Sequence, residues 1–257
     1  MNYFIILASI LFIYMNLWFV VSLVKKRNDV ADEAWGLGFI LLAWGALFIS
    51  GNIELQNVLI NTLVSIWGLR LFLHIHARHK GKEEDGRYQV WRKSWGNLFL
   101  VRSYLQIFIL QGFFLFLVSV PILIANQNPT QSISLILLIG LCIWIIGFLF
   151  ELISDKQLSL FIRNPENKGK LMTEGLWKYS RHPNYFGEVT QWWGVWLIAL
   201  TASNGVFGIV GPITISILIL FVSGIPLLEN KYKGRADFEE YKKKTSIFFP
   251  LPQKNTK

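Results

Sequence analysis

The longest uncharged stretch of the chain is SYLQIFILQGFFLFLVSVPILIANQNPTQSISLILLIGLCIWIIGFLF, residues 103–150. About 20 apolar residues are enough for one helix to cross the hydrocarbon core of a bilayer, so this stretch is too long for a single crossing. The polar, turn-prone string from Asn126 to Gln131 divides it. The stretch therefore predicts two membrane-spanning helices, at residues 103–125 and 132–153.

Outward from this stretch, uncharged or nearly uncharged segments recur on both sides. They predict five more spans, at residues 3–24, 34–53, 55–77, 184–201 and 206–228, followed by a tail at residues 229–257. Lys25, Lys26 and Arg27 follow the first span, whereas a cleaved signal peptide carries its positive residues before its apolar core, so we expect this segment to be retained. The predicted fold class is an all-α, multi-pass transmembrane bundle of about seven spans that forms a single integral membrane domain, residues 1–257.

The composition supports the same class of protein. Hydrophobic residues make up 53% of the chain and charged residues 16%, and the mean hydropathy is +0.43. A soluble domain of this length cannot hide that much apolar surface in one core, which excludes an ordinary soluble enzyme. Cys142 is the single cysteine, so the chain has no intrachain disulfide.

The placement of the charges predicts the orientation in the membrane. If the N-terminus lies outside, every Lys and Arg except Arg70 falls in the loops after spans one, three and five or in the C-terminal tail. This is the positive-inside pattern, and it accounts for the net charge of +9 without nucleic acid as a partner. The expected location is the plasma or inner membrane in a bacterium, or the endoplasmic reticulum in a eukaryote.

Ionisable side chains gather near the predicted cytoplasmic ends of the spans, where they need a charged partner or water. Arg70, His74 and Arg78 recur at every fourth residue, so they form one stripe on a helix. Glu151 and Asp155 share a helix face by the same spacing. Either set can serve a binding site or only pair with structural counter-charges.

The string GLWKYSRHPNYFGE, residues 175–188, concentrates functional side-chain types. Pro183 suits the first turn of a helix, whose N–H groups beside Lys178 and Arg181 would attract a phosphate. His182 and Asn184 add neutral hydrogen-bonding groups, and Tyr185 adds a ring for stacking.

Several other chemistries are not expected. The dinucleotide fingerprint G-x-G-x-x-G is absent, because Leu41 stands where Gly36-Leu37-Gly38 would need its third glycine. No G-x-S-x-G turn is present for a nucleophilic serine. His74, His76 and His79 resemble a metal cluster, but without a nearby cysteine we predict no metal site.

The string at residues 175–188, followed by Trp192-Trp193-Gly194, resembles the steroid 5-alpha-reductase C-terminal domain family, and in particular its branch of short membrane proteins. The resemblance covers residues from about 30 to 252. The further motifs that carry it are Asp32 with Trp35 and Gly36; Trp67, Gly68 and Arg70; Glu84 and Asp85 with Arg87 and Tyr88; Phe150-Glu151; Asp155 with Gln157-Leu158; Ser223 to Pro226; and the tail from Phe238-Glu239-Glu240-Tyr241 to Phe249-Pro250.

The resemblance implies a membrane oxidoreductase that uses NADPH to reduce a carbon–carbon double bond of a lipid, usually one conjugated to a ketone. Basic side chains would then hold the phosphates of the cofactor. The cofactor contacts implied by the resemblance are Glu151, Asp155, Arg163, Arg181, His182, Asn184, Tyr185, Glu188, Asn230 and Tyr241.

The resemblance also suggests the catalytic groups. In steroid reductases a Glu and a Tyr hold the substrate ketone, and the nearest counterparts here are Asp32 and Trp67; the family's His after span seven is replaced by Asn230. Asp32 would act as the acid if it is protonated, or would be structural if it is ionised and paired with Arg70 or Arg78. Tyr88 and His74 are the next candidates for the acid.

Two alternatives to the reductase remain open. The Arg-His-Pro-x-Tyr-x-Gly string also occurs in membrane methyltransferases that use S-adenosylmethionine, such as isoprenylcysteine carboxyl methyltransferase and phospholipid methyltransferase. A non-enzymatic lipid-binding protein could keep the fold without the chemistry. The prefix at residues 175–180, the suffix at residues 192–194 and the Glu151/Asp155 pair favour the reductase.

Overall fold

The computed structural model describes residues 2–130 and 133–254, and within them no β-strand forms. The all-α fold class is confirmed. The α-helices are α1 (Tyr3–Lys25), α2 (Val30–Ser50), α3 (Leu55–His79), α4 (Gly86–Trp95), α5 (Phe99–Arg102), α6 (Leu110–Gln127), α7 (Leu135–Arg163), α8 (Pro183–Ala199), α9 (Val210–Ile217), α10 (Ile225–Lys231) and α11 (Ala236–Lys244). A π-helical segment, Ser103–Ile109, joins α5 to α6, and a second, Leu218–Val222, follows α9.

Six helical regions of the described chain are long and apolar enough to cross a membrane: Tyr3–Lys25, Val30–Ser50, Leu55–His79, Gly86–Gln127, Leu135–Arg163 and Gly205–Lys231. The remaining predicted span, residues 184–201, corresponds to α8, which has 17 residues. At 1.5 Å per residue α8 is about 26 Å long, slightly less than the hydrocarbon thickness. The expected count of about seven is therefore close, and the orientation of the termini stays a prediction.

The helices differ from the predicted spans mainly at the ends that were predicted to be cytoplasmic. Helix α2 begins at Val30, four residues before the predicted start, and α7 continues to Arg163, ten residues past the predicted end. A charged residue limits the part of a helix that lies in hydrocarbon, but it does not end the helix, because backbone hydrogen bonds continue into water. The predicted start of the fifth span at residue 132 lies outside the described residues. Helix α4 was not expected because its sequence is polar.

The chain divides into two compact units. The first unit comprises Met1–Ser134 and Ala199–Gly211, and the second comprises Leu135–Ile198 and Pro212–Lys257. The organisation as a single membrane domain stays a prediction.

In the first unit, α2 and α3 approach closely where two glycines meet. A Cβ atom on Gly36 would lie 2.5 Å from the carbonyl oxygen of Gly68, and one on Gly68 would lie 2.6 Å from that of Gly36. A buried amide pair ties α3 to α6, because Asn61 and Asn126 donate to each other's side-chain oxygens at 3.0 Å. These contacts satisfy polar groups inside an otherwise apolar core.

In the second unit, α7 and α8 pack through two pairs of glycines with the same seven-residue spacing, Gly140 and Gly147 on α7 and Gly187 and Gly194 on α8. A Cβ atom on Gly147 would lie 2.5 Å from the backbone nitrogen of Gln191, and one on Gly187 would lie 2.5 Å from that of Glu151. Small residues allow this approach, which is typical of helix pairs in membranes. The approach brings Glu151 and Gln191 next to each other.

Candidate functional site

Asp32, the first candidate for the acid, binds two side chains from the first turn of α4. The Tyr88 hydroxyl donates to one carboxylate oxygen at 2.8 Å, and an Arg87 guanidinium nitrogen lies 3.0 Å from the other. Tyr88 is 5% exposed. We call Asp32, Arg87 and Tyr88, with Asp29 and Asp85, the Asp32 cluster.

Local structure at the start of α4 explains how Arg87 reaches Asp32. Asp85 caps the helix, and its side chain accepts from the backbone N–H of Arg87 at 2.9 Å and from the Arg87 Nε at 3.1 Å. A cap of this kind satisfies a backbone donor that the first helical turn leaves unpaired. The guanidinium of Arg87 therefore lies between two carboxylates, Asp85 and Asp32.

Asp29 fixes the same loop from the other side. Its carboxylate, which is fully buried, accepts from Arg27 at 2.6 and 2.7 Å and from the backbone N–H of Asp85 at 2.9 Å. Burial alone would raise the pKa of Asp29, but the bonds from Arg27 and Asp85 lower it below its ordinary value. Asp29 is therefore held ionised, and it ties the segment before α2 to the cap of α4.

Glu84 completes this attachment. Its carboxylate accepts from the backbone N–H of Asn28 at 2.6 Å and from Arg92 at 3.0 and 3.1 Å. All four members of the motif Glu84, Asp85, Arg87 and Tyr88 thus make defined contacts around the start of α4.

Two of the three histidines of α3 lie close to a different carboxylate. His76 Nδ1 and His79 Nδ1 are each 3.5 Å from an oxygen of Glu33. His74, the third candidate for the acid, is half-buried on the same helix. Glu33 was not among the expected site residues.

In the second unit, the close packing of α7 and α8 pairs the expected cofactor residues. Gln191 Nε2 donates to Glu151 Oε2, and Asn184 Nδ2 donates to Asp155 Oδ1 at 3.3 Å. Glu151 is 3% exposed and Asp155 9% exposed. Glu188 lies half-buried on the same helix, α8.

Arg181 and His182 share one carboxylate, that of Glu229. Arg181 Nε lies 2.8 Å from Glu229 Oε1, and His182 Nε2 lies 3.1 Å from the same oxygen. Arg181 also donates to the carbonyl oxygen of Thr245 at 2.8 Å and to that of Lys242 at 3.4 Å. We call Arg181, His182 and Glu229 the Arg181 cluster.

Two tyrosines of the expected cofactor set lie near this cluster. The Tyr241 hydroxyl donates to the carbonyl oxygen of Trp177, and burial raises the pKa of Tyr241 above its ordinary value. Tyr185 stacks on His182, with ring centroids 5.7 Å apart. Tyr241 therefore links α11 to the loop before α8.

Arg163 and Asn230 differ from the other expected cofactor residues because both are exposed. Arg163 ends α7 and lines a surface pocket of about 410 Å³ formed by the following loop. Lys168 and Lys170 line the same pocket. Asn230 lies beside Glu229 on α10.

The expected residues thus fall into two groups by unit. Asp32, Tyr88 and His74 belong to the first unit, and all the expected cofactor residues belong to the second. Arg87, Gln191 and Glu229 are not among the site residues expected from the sequence, although Arg87 belongs to a motif of the resemblance and Glu229 is an ionisable residue at a span end. A signal existed for Glu229, since a carboxylate at the end of an apolar span needs a cationic partner.

The six candidate membrane spans of the described chain define a multi-pass integral membrane protein, which also carries the two partly buried polar clusters described above. The chain belongs to the family described as "Protein of unknown function (DUF1295)", whose sequence model matches residues 18–245. The expected likeness to steroid 5-alpha-reductases is confirmed.

Curated relatives with this likeness are named 3-oxo-5-alpha-steroid 4-dehydrogenase 1. The chain is 32% identical over 115 residues to human 3-oxo-5-alpha-steroid 4-dehydrogenase 1, 31% identical over 115 residues to the Macaca fascicularis protein of that name, and 29% identical over 115 residues to the Bos taurus protein. Each match covers 44% of this chain and 40–41% of the relative. The chain therefore spans about two fifths of the length of these relatives. No solved structure gives a significant match.

Proposed function

We propose that this protein is an NADPH-dependent membrane oxidoreductase that reduces a carbon–carbon double bond of a lipid enone. The proposal is supported by relatives that are named as dehydrogenases of a 3-oxo steroid. A ketone beside the reacting bond makes the double bond electrophilic. The substrate class therefore extends to steroid-like and other lipids with a conjugated ketone.

The residues of the second unit fit a dinucleotide phosphate. Arg163, Lys168 and Lys170 line one pocket, and fixed cations are what phosphate groups require. Glu151, Asp155 and Asn184 offer side-chain acceptors and donors for a ribose or an amide. When bound, NADPH would supply the hydride.

Arg163 and Arg181 would have different roles toward this cofactor. Arg181 is 9% exposed, and its guanidinium is occupied by Glu229 and by two backbone carbonyl groups. Arg163 is exposed and lines the surface pocket that Lys168 and Lys170 also line. We therefore assign the 2′-phosphate to Arg163 and a structural role to Arg181.

The Asp32 cluster would supply the hydrogen-bond donor for the ketone. The Tyr88 hydroxyl donates to one oxygen of Asp32 and Arg87 pairs with the other, so we assign the proton of the Asp32–Tyr88 pair to the hydroxyl. Negative charge develops on the ketone oxygen during reduction, and a preorganised O–H group stabilises that charge. The Tyr88 hydroxyl has a single hydrogen, which bonds Asp32 in this structure, so it would turn from Asp32 to the ketone oxygen when the substrate binds. In this assignment Tyr88 is the donor, Asp32 is the positioning residue, and His74 is the alternative donor.

The single observation that carries the proposal is the 115-residue match to the steroid dehydrogenases. The test measures how much each ligand stabilises the full chain, purified in detergent. It distinguishes the proposed reductase from a methyltransferase and from a non-enzymatic lipid-binding protein. Saturation at about 100 times Kd adds about 2.7 kcal/mol to the free energy of unfolding. We expect NADPH to raise the melting temperature and S-adenosylmethionine to leave it unchanged. Stabilisation by S-adenosylmethionine alone, or by neither compound, would overturn the proposal.

A further inference from the structure

The segment that follows α11 exposes three large apolar side chains within five residues. Ile247, Phe249 and Leu251 are 45%, 63% and 53% exposed, whereas Phe248 between them is buried. We call Ile247, Phe249 and Leu251 the tail surface. Exposed apolar side chains that are grouped in this way mark an interaction surface.

Hydrogen bonds hold the tail surface against the loop before α8. The Ser180 hydroxyl donates to the carbonyl oxygen of Phe248 at 2.8 Å. The backbone N–H of Leu251 donates to the carbonyl oxygen of Tyr179 at 3.0 Å. The fold therefore fixes the segment at two points and keeps its apolar side chains on the outside.

A row of phenylalanine rings connects the tail surface to the membrane spans. The ring centroid of Phe249 lies 6.1 Å from that of Phe186 on α8, and Phe186 lies 5.2 Å from Phe150 on α7. Phe150 belongs to the candidate span Leu135–Arg163, and its neighbour Leu149 is exposed. The tail surface therefore continues the apolar surface that the spans present to lipid.

Lysines border the tail surface on both sides along the chain. Lys242 and Lys244 pair with acidic residues of α11. Lys243 and Lys254 are exposed, and within the described ranges neither forms an ion pair. The backbone N–H of Lys254 donates to the carbonyl oxygen of Lys244 at 2.9 Å, which brings the end of the segment back to the end of α11.

We propose that the tail surface lies in the interfacial layer of the bilayer and that Lys243 and Lys254 bind the headgroups of anionic phospholipids there. Apolar side chains flanked by cations are the combination that binds an anionic membrane surface. The row of rings from Phe249 to the spans favours lipid over an acidic protein as the occupant. The inference does not depend on the reaction that the protein catalyses.

The test measures which lipid contacts the tail surface. The full chain carries a fluorophore at Ile247→Cys, together with Cys142→Ser, which removes the exposed native thiol. It is reconstituted in nanodiscs that contain phosphatidylcholine and phosphatidylglycerol in equal proportions, and the discs differ only in which lipid carries bromine on its acyl chains. Bromine quenches the fluorophore on contact. We expect both lipids to quench it, and phosphatidylglycerol to do so at least about twofold more strongly, because one lysine near an anionic surface favours contact about fivefold.

Charge variants test the role of the two lysines. Lys243→Gln combined with Lys254→Gln should make the two lipids quench equally. Lys168→Gln combined with Lys170→Gln removes the same charge from the exposed loop at residues 163–170, and it should keep the preference for phosphatidylglycerol. High salt should reduce the preference in the protein without these substitutions, because exposed charges are screened.

A second label position shows whether the contact is local. Ala236 is exposed in the first turn of α11, beside the carboxylate of Asp237, so a fluorophore at Ala236→Cys should face water and stay unquenched. If Ile247→Cys does not fold, Leu251→Cys places the label on the same surface.

Three outcomes would overturn the proposal. Absence of quenching at both positions of the tail surface would leave that surface open to water or to a protein partner. Equal quenching by the two lipids before any lysine is replaced would exclude recognition of anionic headgroups. A preference that persists in the Lys243 and Lys254 double variant would exclude these two lysines as its cause.

Discussion

The proposed chemistry depends on a single hydroxyl group, that of Tyr88. It donates to Asp32 at 2.8 Å, and Arg87 neutralises the same carboxylate. We expect Tyr88→Phe to reduce turnover about 100-fold or more, because the ketone oxygen loses its donor. The affinity for NADPH, measured by calorimetry, should stay unchanged.

Tyr104→Phe is the matched control for this variant. Tyr104 donates to Asn16 at 3.1 Å and has no place in the Asp32 cluster. It should keep wild-type turnover. Full activity in a folded Tyr88→Phe protein would transfer the donor role to His74. Asp32→Asn should also lower turnover, because the amide has one oxygen in place of two and cannot keep the contacts with both Tyr88 and Arg87.

Arg163 and Arg181 provide a second prediction, because one is exposed and the other is buried in a cluster of acceptors. Arg163→Ala should weaken NADPH binding about tenfold and leave NADH binding unchanged, since only NADPH carries the 2′-phosphate. Titrations with both dinucleotides check this. Equal losses for NADPH and NADH would remove the 2′-phosphate assignment.

Arg181→Ala should act on stability instead. It removes the arginine partner of the half-buried Glu229 carboxylate, and a hydrogen bond to a charged group contributes about 1.5–3 kcal/mol. We expect a lower melting temperature before any ligand is added. A variant as stable as wild type, with a selective loss of NADPH binding, would show that Arg181 binds the cofactor directly.

At the scale of helices, the α7–α8 contact positions Glu151 and Gln191. Gly147→Ala would place a Cβ atom 2.5 Å from the backbone nitrogen of Gln191. Overpacking of this kind costs about 1–3 kcal/mol, so we expect a lower melting temperature and weaker NADPH binding.

Gly45→Ala, on α2, is the control for the Gly147→Ala substitution. A Cβ atom at Gly45 meets only Leu7 Cδ2, at 3.6 Å, which is an ordinary van der Waals distance. Because alanine favours helix by about 1 kcal/mol over glycine, Gly45→Ala should be neutral or stabilising. Equal effects of the two substitutions on the melting temperature would mean that the close approach at Gly147 has no special importance.

Uncharged runs predicted the helices well because the bilayer imposes both length and polarity on a crossing segment. They could not predict α4, whose ten-residue sequence is mostly polar and which is held by side-chain bonds at Glu84 and Asp85. They also could not pair Asp32 with Tyr88, since the contact joins residues 56 positions apart. The motif residues were recognisable from the sequence, but their partners required the fold.

At the scale of the whole molecule, the positive-inside pattern predicts an external N-terminus and a cytoplasmic tail. Opposite locations of the two ends require an odd number of crossings, so α8 must span the membrane in addition to the six longer regions. Reporters fused at each end check this. Both ends on the same side of the membrane would show that α8 does not cross.

The central claim is that hydride passes from NADPH to a lipid enone. The most direct measurement uses NADPH with deuterium at the transferable position, incubated with the full chain and a lipid extract that is then analysed by mass spectrometry. We predict that one lipid disappears and that its product carries one added deuterium and one added hydrogen, with wild-type protein but not with Tyr88→Phe. If no lipid of the extract gains deuterium after incubation with protein that demonstrably binds NADPH, the claim is contradicted.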